Sequence, residues 1–176
     1  MSRTRTVCDS VTIAVSPMTA WQAVSDITQM GRWSPENRGG RTTDGGPVAV
    51  GTSFVGTNER GGAHWTTECT VTAADPGERF AFRVHRIGGR KPVVPARIAT
   101  WEYRFEEAEG GTLVTETWTD DRRWPDAVTR VFDKAVTGGR TFAQYQPKNI
   151  RRTLDRLRTE LESEPGSESG SELGRA

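Results

Sequence analysis

Cysteine and histidine are nearly absent from this chain, with two of each in 176 residues. Cys8 and Cys69 stand alone, without CxxC spacing, and read as strand thiols packed as small apolar groups rather than as a disulfide or metal pair. His64 and His85 lack the spacing of a zinc-ligand pair, so neither a metal nor another cofactor is expected. Long apolar runs are missing too. None approaches the ~20 residues of a membrane-spanning helix, which excludes an integral helical segment. Nor is there an excess of one charge: 24 Lys and Arg face 23 Asp and Glu, so no global field draws the chain to nucleic acid or anionic lipid. From Met1 to Arg5 the chain leads into a strand pattern without a signal-peptide core, and a cytoplasmic protein is expected. Hydrophobic residues make up only 34%, partly because of 19 glycines and a polar C-terminal stretch. The length suits one domain with a substantial core, as monomer or homodimer.

What is present is organised punctuation. A strand-like run ends at Ser16, which can N-cap a helix with Pro17 in its first turn. Ala20, Trp21, Val24 and Ile27 share one helical stripe, and a short second helix carries Met30 and Trp33 before Ser34-Pro35 stops it. A polar connection follows, with a short edge strand near Arg41–Thr43. Alternating runs then occupy Thr52–Arg60, Ala63–Ala74, Arg79–Ile87, Ile98–Glu107 and Thr112–Asp121. Gly61-Gly62, Pro76-Gly77 and Gly110-Gly111 read as hairpin turns, and Gly88–Arg97 as a loop. Asp126–Val136 is a possible helix, broken at Gly138-Gly139. Pro147 opens a last helix with an apolar stripe of Ile150, Leu154, Leu157 and Leu161. Residues 1–162 make the domain, and Ser163–Ala176, rich in Ser, Glu and Gly, is expected to be a disordered tail.

Hairpin turns determine which residues share a face, because strand side chains alternate with period two. With the glycine pairs and Pro76-Gly77 as central residues, Asn58 lies opposite Trp65, Phe54 opposite Cys69, Val71 opposite Phe82, Phe105 opposite Glu116 and Tyr103 opposite Trp118. One face is then apolar and aromatic. The other carries Glu59, His64, Thr66, Glu68, Arg83, His85, Glu102 and Arg104 and belongs to solvent. Three polar residues interrupt the apolar face: Asn58, Thr67 and Glu116. Apolar walls with sparse polar groups are the composition of a ligand pocket. Glu116 is either a hydrated or Arg-paired carboxylate at the open end, or a ligand-contacting, proton-transferring group whose burial is costly unless it is neutralised. Asn58 either satisfies strand-end backbone groups or contacts a guest. Trp65, Trp101, Tyr103 and Trp118 serve as core or as cavity wall, and Trp33 falls at the mouth. Arg86, Arg90, Lys91 and Arg97 make a basic loop, solvated or acting as a lid over an anionic head group.

The segments S-P-M-T-A-W-Q-A-V-S-D-I, M-G-R-W-S-P, F-V-G-T-N, W-T-T-E-C-T-V-T, W-E-Y-R-F and G-G-T-L-V-T-E-T-W resemble the SRPBCC (polyketide cyclase/START-like, Bet v 1-like) superfamily, and look most like actinobacterial members. The resemblance covers about Thr6 to Leu161. It implies an α+β helix-grip fold: a strongly curved antiparallel sheet of about six to seven strands around a long C-terminal helix, with two short helices after the first strand. It also implies a deep cavity for apolar molecules, without a cofactor. Two functions are compatible with it. One is a carrier or binding protein for a polyketide- or lipid-like molecule, with Trp33, Asn58, Trp65, Thr67, Trp101, Tyr103 and Trp118 as ligand contacts. The other is a polyketide cyclase or aromatase-like enzyme with Glu116 as acid or base; a module acting through its surface is a third. No cyclase motif matches position by position, so no catalytic residue carries over. If the tail is dispensable, truncation after Glu162 leaves the melting temperature unchanged in calorimetry; a fall of several degrees would show that it docks.

Overall fold

Turn and cap chemistry sets the element boundaries in the computed structural model, which describes residues 3–163 except residue 44. Strand β1 (Thr6–Ile13) runs to Ser16, whose hydroxyl accepts from the Thr19 amide at 3.1 Å while Pro17 opens α1 (Pro17–Ser25). Asp26 repeats the device, accepting from the Thr28 amide at 3.0 Å to start a single 3-10 turn that leads into α2 (Met30–Trp33). Six strands follow: β2 (Asn37–Thr42), β3 (Ser53–Arg60), β4 (Ala63–Asp75), β5 (Arg79–Gly88), β6 (Val94–Ala108) and β7 (Gly111–Asp120). Helices α3 (Asp126–Thr137) and α4 (Phe142–Ser163) complete the described chain. The strands form one antiparallel sheet in the order β1-β7-β6-β5-β4-β3-β2. Register shifts at Glu68/Cys69 and Val71/Ala73 in the β4–β5 ladder, and at Val84/Arg86 in β5–β6, bend the sheet around α4. This is the helix-grip arrangement.

The first hairpin has the expected register, with Phe54 opposite Cys69 and Asn58 opposite Trp65. In the second, Val71 faces Phe82 as expected, but nearer the turn Asp75 pairs with Arg79 and Ala73 with Ala81, so Pro76, Gly77 and Glu78 make a three-residue loop and the bulge at Thr72 restores the register. The third differs. Glu109 and Gly110, not Gly110-Gly111, are central in the β6–β7 turn, so Tyr103 stands opposite Glu116 and Phe105 opposite Val114. Both glycines take positive φ, 83° at Gly110 and 139° at Gly111, and a Cβ at Gly111 would in addition lie 2.0 Å from the Ile13 carbonyl oxygen. A displacement of two residues keeps every side chain on its face.

Other expectations need correction. β6 starts at Val94, inside the expected loop, and Pro95 is accommodated next to the Val84/Arg86 register shift, where an unbroken ladder is not required. α4 starts at Phe142 rather than at Pro147. Thr141 and Gln144 form a reciprocal capping box, with Oγ1 accepting from the Gln144 amide (3.3 Å) and Oε1 from the Thr141 amide (3.0 Å). Pro147 then falls in the second turn. Thr66, placed on the solvent face by the alternation, is buried, its hydroxyl donating to the Gly88 carbonyl at 3.4 Å. Cys8 is exposed rather than packed, and only Cys69 is buried. Ser163 ends α4, and residues 164–176 lie outside the described residues. Ile150, Leu154 and Leu157, all fully buried, belong to one hydrophobic core with Ile13, Val24, Ile27 and Val114. Leu154→Ala is expected to cost about 2–5 kcal/mol in urea denaturation, from lost transfer free energy and the void left behind.

Candidate functional site

The buried side of α4 carries two stripes side by side. Ile150, Leu154, Leu157 and Leu161 make an apolar one, whereas Gln146, Asn149 and Thr153, at i, i+3 and i+7, make a polar one. Beneath the polar stripe a cavity of about 490 Å³ separates the helix from the sheet. Trp33, Asn58, Trp65, Thr67, Trp101, Tyr103, Glu116 and Trp118 all line it. Trp33 is 3% exposed and forms wall rather than mouth. Tyr103 and Trp118 are buried, while Trp65 and Trp101 are half-buried.

Glu116 is the most constrained of these residues. It is 1% exposed, and the Tyr103 hydroxyl donates to its Oε1 at 2.9 Å across the β6–β7 ladder. Oε2 is buried without a partner among the described residues. Neither a hydrated rim nor an arginine partner describes this position. Burial pushes the carboxyl up to about 8; the Tyr103 hydrogen bond pulls it back and the negative charge of Asp9 pushes it further up. Burial, reinforced by Glu116, also raises the Tyr103 phenol well above its ordinary value. Near neutral pH the carboxyl therefore keeps its proton in large part, accepting from Tyr103 with one oxygen and holding a hydroxyl donor on the other.

A second polar group lies on β3 and β4. Asn58 Nδ2 donates to Thr67 Oγ1 at 3.2 Å and to the Gly56 carbonyl at 3.5 Å, and Asn58 Oδ1 accepts from Asn37 at 3.5 Å. Asn58 thus satisfies neighbouring strand groups while it faces the cavity. His64 is exposed and borders the cavity, whereas His85 lies outside it, 3.3 Å from the Thr70 hydroxyl and 3.5 Å from Glu68.

Two parts of the site escaped the sequence reading. The first is a clasp between the sheet edge and the start of α4. Glu36 Oε1 accepts from Arg60 Nη1 (3.0 Å) and from the Tyr145 hydroxyl (2.5 Å), and the Arg60 guanidinium lies 4.8 Å from the Tyr145 ring centre and 5.5 Å from that of Trp65. The second is α3, which contributes Phe132 and Ala135 to the cavity and is held by Arg122. That arginine is 1% exposed, donating to Asp120 at 2.8 Å through Nε and Nη2 and to Asp133 at 2.6 Å through Nη1. Its guanidinium also lies 4.9 Å from the Phe142 ring centre. Burial pushes the Asp120 carboxyl up, but the Arg122 hydrogen bonds outweigh it and hold the group below the usual carboxylate range. The signal available in the sequence was the Asp-Asp-Arg-Arg-Trp run leaving the last strand, charged residues beside an aromatic where a solvated loop was the ordinary reading.

A curved sheet gripping a helix over an aromatic-walled cavity defines a ligand-binding helix-grip protein. Residues 4–162 match the family described as "Polyketide cyclase / dehydrase and lipid transport", and the chain belongs to that family, within the SRPBCC superfamily. Among solved structures it is similar to a Polyketide_cyc-like protein from Corynebacterium glutamicum (26% identity, 92% of this chain and 94% of that one, TM-score 0.55). It is also similar to a START superfamily protein from Mycobacterium smegmatis (14%, 90% and 98%, TM-score 0.63) and to protein CV1439 from Chromobacterium violaceum (13%, 91% and 99%, TM-score 0.64). A sequence comparison with curated proteins finds no match. Among the described residues no helix is long and apolar enough to cross a membrane.

The buried carboxyl has a thermodynamic signature. Between its ordinary value of 4.5 and its folded value of about 8, the folded chain holds a proton that the unfolded chain has released. Glu116 therefore makes stability fall as pH rises through that window, by at most about 1.4 kcal/mol per pH unit. Glu116→Gln is expected to remove this slope and to be more stable than the parent at about pH 8, measured by urea denaturation across the window.

Proposed function

We propose that the cavity binds a largely apolar, polyketide- or lipid-like molecule carrying an acceptor oxygen, such as a carbonyl, opposite Glu116, and that the protein acts as its carrier. The observation that supports this most directly is the buried, unpartnered Oε2 in an aromatic wall. A polar atom without a partner there costs free energy unless a guest accepts its proton. The volume is of the size that takes a drug-sized guest, and the family description names both cyclase chemistry and lipid transport.

The Tyr103–Glu116 pair also favours a second reading. A carboxyl that titrates close to neutral pH can deliver a proton to a carbonyl oxygen during enolisation, or to a leaving hydroxyl during loss of water, as a cyclase or dehydratase requires. Native mass spectrometry of the purified protein is expected to find a co-purified apolar molecule. Glu116→Gln keeps shape and hydrogen bonding but cannot transfer a proton. A carrier keeps its affinity after this change, whereas an enzyme keeps its affinity and loses turnover by about 10²–10⁴-fold. Unchanged binding in both Glu116→Gln and Glu116→Leu would remove Glu116 from the recognition of the guest.

A further inference from the structure

Helix α3 is attached by its polar side. Thr129 and Asp133 are buried and bonded at 2.6 Å each to Arg3 and Arg122. Val128, Val131, Phe132 and Ala135 follow i, i+3, i+4 and i+7 and so form one apolar stripe. In an ordinary surface helix that stripe would face the core. Here Val128 and Val131 are 53% and 72% exposed, and Phe132 and Ala135 border the cavity. Ala63, His64 and Ala135 line the cavity while being exposed themselves, which marks its opening. Between cavity-lining Ile87 and Ile98 runs a second segment with exposed Val93 and Val94. Four of the six exposed large apolar side chains among the described residues thus sit on these two segments.

The same segments concentrate positive charge. Arg90, Lys91 and Arg97 are exposed on one, and Arg123, Arg130, Lys134 and Arg140 on or beside α3. Their acidic residues, Asp126 and Asp133, are both ion-paired, with Arg3 and Arg122. We propose that this rim docks on an anionic lipid bilayer, with the α3 stripe and Val93-Val94 seated at the headgroup boundary and the cavity opening toward the lipid. Apolar tips flanked by cations are the composition of an interfacial element. A second copy of the chain is disfavoured, because a two-fold interface would bring cations against cations. Nucleic acid would take the cations but leave the valines without a role.

Co-sedimentation of the full chain with vesicles tests this without any cavity ligand, so failure of the ligand reading would leave the result interpretable. Vesicles of phosphatidylcholine with about one third phosphatidylglycerol should bind at least about tenfold more tightly than phosphatidylcholine alone, and lose binding as salt rises. Arg130→Gln with Lys134→Gln should weaken binding by about fivefold per cation. Val128→Ser with Val131→Ser, exposed positions that leave the fold intact, should weaken it about tenfold or more. Equal binding to both vesicle types, or full binding by the valine variant, would overturn the proposal. So would duplex DNA binding as tightly as vesicles and unaffected by the valine changes, or a solution dimer that the valine changes dissociate.

Discussion

One helix cannot fill the space under a curved seven-stranded sheet, and the rest of this structure follows from how α4 divides that space. One buried stripe supplies Ile150, Leu154, Leu157 and Leu161, which join residues of β1, α1 and α2 in the core. The stripe beside it supplies Gln146, Asn149 and Thr153, which border the cavity instead of filling it. The volume left there is the site. Strand bulges set its depth, α2 walls it with Trp33, and α3 lies over the remaining gap with Phe132.

Arg122 and Glu116, each 1% exposed, are kept in this frame by opposite means. Arg122 stays charged because two aspartates and three aromatic rings surround it, an arrangement that compensates the loss of hydration and joins α3 to β7. Glu116 is in no ion pair among the described residues and is tolerated because it stays neutral through much of the physiological range. The first group is spent on structure. The second has one oxygen without a partner among the described residues, and its stability cost grows with pH.

The polar attachment of α3 explains a pattern that composition conceals. A chain with formal net charge +1 carries no overall field, yet seven exposed cations gather on the two segments at the cavity opening. Their neighbours there are exposed valines rather than carboxylates. Balance over the whole chain and imbalance at one rim are compatible because most of the acids belong to other parts of the sequence.

The amino-acid sequence by itself determined the strands, three of the turns to within two residues, the Ser16-Pro17 cap and the inward-facing set. Each of these depends on a local rule: period-two alternation, or the few backbone conformations that glycine and proline favour. For that reason all eight expected site residues share one cavity, even though the β6–β7 pairing is displaced by two. That displacement matters for chemistry, since it gives Glu116 the Tyr103 hydroxyl as a partner in place of a phenyl ring. Only the tertiary structure decided the rest. The clasp of Glu36, Arg60 and Tyr145 and the hydrogen bond from Arg3 to Thr129 on α3 join residues distant in the chain. No spacing encodes such contacts, because an ion pair or a hydrogen bond depends on where the chain returns, and that is set by sheet curvature and helix placement rather than by neighbours in sequence.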